Sequence, residues 1–486
     1  MGFISKFYGI SAPATTLLPE EKQQRVYKRD RIQAFIAGTA GYSLYYVCRT
    51  SLNVVKGGIL DSGLLTAAQL GTVGSCLFIA YAVGKFINGF LADYCNIKKF
   101  RATGLIVSAF VNFCLGAIGL VSAGTESSVA AASVFVMFAI MWGVNGWSQS
   151  MGAPPAIISL SRWFPLNIRG TFYGFFSASH NLGEWLSFLF VGLLVSMAGW
   201  QWGFFGASIA GVIGVVIILF WLHDTPESKG LKPVEVMSGE MTEEEYQQKI
   251  ASSAKTAEEK AAEKNETSRI QRAVLRNPGV WILALSSAFM YMSRYAINSW
   301  GILFLEKIKG FSTVEASTII SINALLGIIG TVVSGWMSDV LFKGDRKYPA
   351  FFAGVLEAIA LALFLFGGNS WFVNVTAMVL FGIAIGVLIS FVGGLMAIDL
   401  VPRKATGAAL GIVGMASYAA AAIQDIVSGQ LIDKNIAFDY VYNAAGDYME
   451  PMVTYDFSIV SWFWLGAAII SFLLPVLNWK RKQQEI

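Results

Sequence analysis

The sequence predicts an all-α membrane protein, with twelve transmembrane helices arranged as two pseudo-symmetric six-helix bundles. Three observations predict it. Of 486 residues, 55% are apolar and only 14% charged, with a mean hydropathy of +0.59, whereas a soluble globular domain has about 45–50% apolar and ~25% charged residues. Apolar runs of bilayer-spanning length, about 20 residues, recur along the whole chain. A polar loop and an intramembrane arginine each occur twice at nearly one spacing.

The elements follow in order. A polar tail, 1–31, precedes apolar runs at 32–55, 69–92, 102–123, 130–159, 170–197 and 203–222. A stretch at 223–279, rich in Glu, Lys, Ala, Ser and Gln, cannot bury a core and reads as a helical or disordered linker. Six more runs follow at 280–304, 314–338, 349–367, 371–398, 406–430 and 457–477, then a short tail at 478–486. The expected organisation is one bundle at 32–222, a second at 280–477, and three polar segments around them. Apolar positions go around each run rather than alternating, which is the pattern of a buried or lipid-facing helix and not of a strand.

Orientation follows from the basic residues. The N-terminal tail, the loops after even-numbered runs and the C-terminal tail hold 28 Lys and Arg, while the opposite side has four: Lys56, Lys307, Lys309 and Lys434. By the positive-inside rule both termini are expected in the cytoplasm. The formal charge of +4 is therefore the remainder of a sorted distribution and not a patch, so a nucleic-acid partner is excluded. The four cysteines lie in or beside apolar runs and read as packing residues.

The repeat is specific. Gly89-Phe90-Leu91-Ala92-Asp93, followed by Lys98 and Lys99, has its counterpart 246 residues later in Gly335-Trp336-Met337-Ser338-Asp339, followed by Arg346 and Lys347. Arg49 and Arg294 are 245 apart. Such a repeat implies two parallel halves about an axis along the membrane normal, with a site between them near the midplane.

Arg49 and Arg294 lie within the first and seventh runs, where each arginine costs ~2.5–3.5 kcal/mol on insertion scales. Snorkelling to the outer interface or pairing with a buried carboxylate would also accommodate them. A symmetric arginine pair facing a cavity favours a phosphorylated or otherwise dianionic ligand, because the planar fork binds phosphate oxygens bidentately. Lys85, mid-run on the second helix, would strengthen such a vestibule, and Tyr45, four residues before Arg49, joins the binding set. His180 falls inside the fifth run with Glu184 one turn on, so the carboxylate is expected to accept from the imidazole. Asp425, in the eleventh run, is either a polar substrate contact or a gating ion pair. Asp93 and Asp339 belong to the repeated loops and are expected to latch the inward gate. No phosphate-binding GxxxxGK[ST] loop, no metal-ligand cluster and no nucleophile elbow occurs, so neither an enzyme nor a cofactor or metal is expected.

The loop Gly89-x-x-x-Asp93 and its repeat resemble the loop signature of the major facilitator superfamily. More specifically, Gly41 to Arg49, Ala80 to Phe86, Ser179-His180-Asn181-Leu182-Gly183, Arg294 to Trp300, Asp224 to Leu231 and Pro402 to Ala408 look like the organophosphate:phosphate antiporter family, over about Gly41 to Leu477. The resemblance implies that Arg49 and Arg294 bind a phosphoryl group and that Lys85 and His180 lie on the same pathway. It departs from the family at Asn323, near where an acid often stands, and at Glu184, where a small residue is usual; Glu184 would then replace the missing acid as partner of His180. The family's Gly-Pro run reads Gly386-Val387 here.

The expected function is exchange of a hexose phosphate or glycerol 3-phosphate for inorganic phosphate across the bacterial inner membrane, by a monomer. A membrane sensor of external hexose phosphate that signals to a kinase, or a proton-coupled organic-anion symporter using His180, Glu184 and Asp425, are the alternatives.

Overall fold

The computed structural model describes residues 7–122, 128–252, 266, 269–270, 272–342, 345–401, 406–434, 436–439 and 452–478. Among them are twelve helices of 16 to 42 residues: α1 Glu20–Asp61, α2 Ala67–Ala92, α3 Ile97–Val121, α4 Ser128–Gln149, α5 Leu166–Ala198, α6 Trp200–Trp221, α7 Pro278–Lys307, α8 Thr313–Trp336, α9 Lys347–Phe366, α10 Trp371–Ser390, α11 Thr406–Lys434 and α12 Ser458–Leu473. Ten are, over their described residues, apolar and long enough to cross a membrane; of the other two, α4 is a 22-residue helix with no charged residue, and α1 carries Arg49 and Lys56. Large apolar side chains such as Phe220, Met197 and Phe372 stand exposed, as a lipid-facing surface requires.

The packing repeats after six helices. α1 packs on α5 and α6, α3 on α6, and α2 on α4; correspondingly α7 packs on α11 and α12, α9 on α12, and α8 on α10. Three contacts join the halves: α2 with α11 and α5 with α8, which the repeat exchanges, and α1 with α7, which it maps onto itself. Glycine makes the closest of these contacts possible, since small residues let membrane helices approach at the backbone. A Cβ on Gly330 would sit 2.2 Å from Ile383 O, and one on Gly386 2.3 Å from Gly327 O, so α8 and α10 touch along a glycine seam.

Four features differ from the apolar pattern. α1 starts at Glu20, twelve residues before its apolar run, because Tyr27 and Ala34 bury against Trp163 and its neighbours. The fourth run is broken: α4 ends at Gln149, and a separate amphipathic helix, Ala153–Trp163, begins with proline in its first turn, where a missing N–H costs nothing but interrupts any preceding helix. α10 passes into a π-helical turn at Phe391–Leu395, so a helix irregularity survives without the Gly-Pro run. An antiparallel hairpin, β1 Ile436–Asp439 with β2 Met452–Tyr455, stands between α11 and α12. Short helices at Val234–Met237 and Glu243–Ser252 occupy the described part of the linker.

We term inner the face that carries residues 7–19 and the linker. There Asp224 accepts from Ser11 N at 2.7 Å, Ile97 N at 3.0 Å and Arg162 Nη1 at 2.6 Å, tying four segments of the first half together. His223 beside it has its pKa pushed down to about 4, by burial first and by the Lys229 cation second. At the outer face Lys309 donates to Phe364 O, Gly367 O and Asn374 Oδ1 and so caps the end of α9; burial lowers its pKa to about 8.

The two faces are unequal. Toward the outer face α2 and α11 interlock: a Cβ on Gly71 would meet Asp425 O at 2.3 Å, and one on Gly429 would meet Ala67 O at 2.4 Å. α5 and α8 do the same through Gly192 and Ser317. Toward the inner face the same helices carry Gly89, Gly170, Gly174, Gly335, Gly407 and Gly411, whose Cβ atoms would meet nothing. Among the described residues, contacts between the halves reach inward to Tyr81 and Lys85 with Tyr418 and to Asn181 with Gly327. The helices therefore form a wedge, closed outside and open inside.

Candidate functional site

At the apex of the wedge, α1 presents Tyr42, Tyr46 and Arg49, α2 presents Phe78, Tyr81 and Lys85, α5 presents His180 and Glu184, and α7 presents Tyr291, Arg294, Tyr295 and Asn298. Polar groups buried in the first half hold α1 in place: Asn112 Nδ2 and Asn145 Nδ2 both donate to Cys48 O at 3.0 Å, directly before Arg49. Ser51 donates to Asn112 Oδ1 at 2.7 Å, and Gln149 to Ser108 at 3.1 Å. Networks satisfied in this way rigidify what they touch. Gly183 allows α5 to lie on α1, since a Cβ there would be 2.3 Å from Ser43 O.

Arg49 and Arg294 converge on one tyrosine. Arg49 Nη2 donates to Tyr295 Oη at 3.5 Å, and the Arg294 guanidinium stands 5.5 Å from the same ring. Both arginines are about 95% buried, at 4% and 5% exposure. Arg49 lies over Tyr81 at 4.2 Å, with Tyr46, Phe78 and Tyr418 within 6.0 Å, and no carboxylate pairs with it among the described residues. Aromatic faces stabilise a cation by about 2 kcal/mol when desolvated, so Arg49 is held by rings and one long hydrogen bond and not by an opposite charge. Arg294 does have a carboxylate, Glu184 Oε2 at 3.4 Å, and Asn298 Nδ2 donates to Glu184 Oε1 at 2.7 Å.

The expected residues separate into groups. Lys85 is exposed on the open side, its Nζ 5.5 Å from the Tyr418 ring. His180 faces Tyr46 at 5.7 Å, but its Nδ1 lies 2.5 Å from Ser177 O on its own helix. The expected His180–Glu184 bond is thus corrected: the carboxylate turns to α7, where a buried guanidinium and an amide donate to it. Tyr45 is also corrected, because it points away from the cavity, fully buried, and donates to Arg101 O at 2.5 Å; Tyr46 takes its place. Asp93 is exposed, and its backbone carbonyl accepts from Arg162 at 3.5 Å. The acid that pairs with Arg162 is Asp224. The side chain of Asp339 lies outside the described residues.

Asp425 is an ion pair. Lys56 Nζ lies 3.3 Å from its Oδ1, which also accepts from Ser299 Oγ and Trp300 Nε1, both at 2.6 Å. Lys56 further donates to Ser299 Oγ at 2.6 Å and stands 3.7 Å over the Trp300 ring. It is not an outward loop group: it is fully buried, two turns beyond Arg49, and that spacing of seven is the signal that marks it. Glu357, in α9, was not singled out either; it is fully buried and accepts from Ser293, next to Arg294, and from Ser471 at 3.5 Å.

A family model described as Major Facilitator Superfamily matches residues 38–424. The chain is 31% identical over 435 residues to a Chlamydia pneumoniae protein named "Probable hexose phosphate transport protein", covering 89% of this chain and 92% of the relative. It is 33% identical over 431 residues to the "Glycerol-3-phosphate transporter" of Bacillus subtilis (strain 168), covering 87% and 91%. The fold matches, with a TM-score of 0.67 and 17% identity, a crystal structure of a bacterial homologue of the human lysosomal transporter Spinster in an inward-facing, unoccupied conformation, covering 94% of this chain and 100% of that one. Two symmetric halves, a cavity between them with an arginine from each, and this likeness over nearly the whole length make the chain a member of the major facilitator superfamily, a family of membrane transporters and not of enzymes.

Proposed function

We propose that the protein exchanges a phosphorylated metabolite, a hexose phosphate or glycerol 3-phosphate, for inorganic phosphate by alternating access. The observation that carries this reading is the convergence of Arg49 and Arg294, from symmetry-related helices, on Tyr295. Counting formal charges, Arg49, Arg294 and Lys85 against Glu184 leave the cavity at about +2, the complement of a phosphate ester at neutral pH (charge of roughly −1.5 to −2). The names of the two curated relatives support the same substrate class.

Phosphate held by arginines from both halves draws the halves together on the open side, while the Lys56–Asp425 pair on the closed side comes apart. The bundles 32–222 and 280–477 then move as bodies joined by 223–279, with the Asp93 and Asp339 loops at the inner gate. Lys85 attracts the anion at the mouth, and His180 lines the passage. Exchange outruns net flow because the empty cavity carries uncompensated charge at Arg49. The 28 to four charge split supports cytoplasmic termini, and the bacterial relatives support an inner-membrane location. Each half supplies one arginine, so a single chain is enough to build the site, and we read the carrier as a monomer.

The test is counterflow of labelled phosphate in proteoliposomes, with hexose phosphate and glycerol 3-phosphate as competitors. Competition by either ester, and collapse of exchange in Arg294→Lys, are expected. Full exchange by Arg294→Lys would refute the arginine-fork reading, and binding without flux would mark a receptor.

A further inference from the structure

The two arginines are equally buried but unequally served. Arg49 meets only aromatic rings and the Tyr295 hydroxyl, whereas Arg294 faces Glu184. Glu184 comes from the opposite half: α5 brings it across the interface to Arg294 and Asn298, which lie one turn apart on α7. It is 2% exposed, so its charge has no solvent to fall back on. Its short bond runs to Asn298, at 2.7 Å, while the approach to Arg294 is long, at 3.4 Å. The carboxylate is therefore anchored by the amide and leaned toward the guanidinium without a bidentate pair. Beside it, Asn298 Oδ1 is buried with no hydrogen-bond partner among the described residues, an open acceptor at the same spot.

We propose that Glu184 is a tethered counter-anion: in the empty carrier it occupies the place at Arg294 that a phosphoryl oxygen takes when substrate binds. Displacement frees the carboxylate from the arginine, and the unpartnered Asn298 Oδ1 receives a hydroxyl of the arriving ester. This rests on the proposed function, since it names the group with which that substrate competes. Two consequences follow. Substrate affinity is set below what two free arginines would give, because binding must first break an existing pair. In addition, a negative group already spans the halves when no substrate is present, so the empty carrier retains some ability to change sides, and net flow accompanies exchange.

The experiment compares the unsubstituted protein with Glu184→Gln in proteoliposomes, using inorganic phosphate as the probe. It reads half-saturation for exchange, and net efflux into phosphate-free medium as a fraction of exchange. Removing the competing charge is expected to lower half-saturation roughly tenfold, the change that an interaction of about 1.4 kcal/mol makes, and to cut the net-to-exchange ratio severalfold. Unchanged values, or weaker phosphate binding, would overturn the proposal and make Glu184 a support of the site. Should the Gln variant fail to assemble, Glu184→Asp decides: it keeps the charge but draws the carboxylate one methylene back toward α5 and away from Arg294, and phosphate must bind more tightly to it for the proposal to stand. Absence of phosphate exchange in the unsubstituted protein would be a separate outcome, defeating the function itself.

Discussion

Two sets of buried charges lie two helical turns apart on α1. Lys56 finds a carboxylate, a hydroxyl and an indole face, and Asp425 accepts from three donors. Arg49 finds four aromatic rings and one long hydrogen bond. The contrast teaches how to separate a fastening from a vacancy: a buried pair whose charges match holds helices together, while a buried cation held by rings and one long hydrogen bond is left without a counter-charge. Charge alone does not discriminate between them, since both cost several kcal/mol to bury.

Breaking one partner of the saturated set is expected to have the largest effect. Asp425→Asn leaves Lys56 buried and unpaired and should lower stability by about 3–5 kcal/mol, read as melting of the detergent-purified protein. The double variant Lys56→Met, Asp425→Leu should recover most of that loss. At the vacancy, Arg49→Lys keeps the charge but loses the fork, so phosphate exchange is expected to fall on the order of 100-fold with little change in melting. A smaller effect tests how closely the fastening is packed: a Cβ at Gly74 would lie 1.8 Å from Asp425 Oδ2, and Gly74→Ala should cost about 1–3 kcal/mol as overpacking. Tyr45→Phe removes one buried hydroxyl bond and should cost about 1 kcal/mol while leaving phosphate half-saturation unaltered, which separates Tyr45 from the cavity. The last test is at His223, whose effect is absent at neutral pH. Its folded pKa of about 4 lies below the ordinary value of ~6.5, so the unfolded chain holds more protons between them; stability is complete above about pH 6.5 and is lost as pH falls through 4. A melting profile from pH 7 to 4 should flatten in His223→Gln.

The twelve helices and both arginines were legible because each rests on a local signal: an apolar run has a length, and an arginine inside it has a cost. The repeat added their relation. Lys56 was not legible, because a lysine near the end of a run reads as an outward group, and only the approach of α11 across Gly74 buries it. Glu357 escaped for the same reason, its partners being serines from two other helices. Tyr45 and Tyr46 are neighbours in sequence, so composition cannot say which faces the cavity; a helix turns by about 100° per residue, and the position of α3 decides. The break after Gln149 had a signal in Pro154-Pro155, and apolar content masked it.

One consequence of the length of α1 reaches beyond the membrane. Its 42 residues extend about 63 Å at 1.5 Å per residue, twice the ~30 Å hydrocarbon core, in one unbroken rod. Arg49 and Lys56 sit on it, and so do Gln24, which donates to Met237 O in the linker at 3.0 Å, and Tyr27, which donates to Trp163 O at 3.1 Å. The rod is a pointer whose far end stands in water. A spin label on the exposed residues of its first three turns would report the tilt of the helix that carries Arg49 without touching the cavity, turning the protein's own architecture into the gauge of its transport cycle.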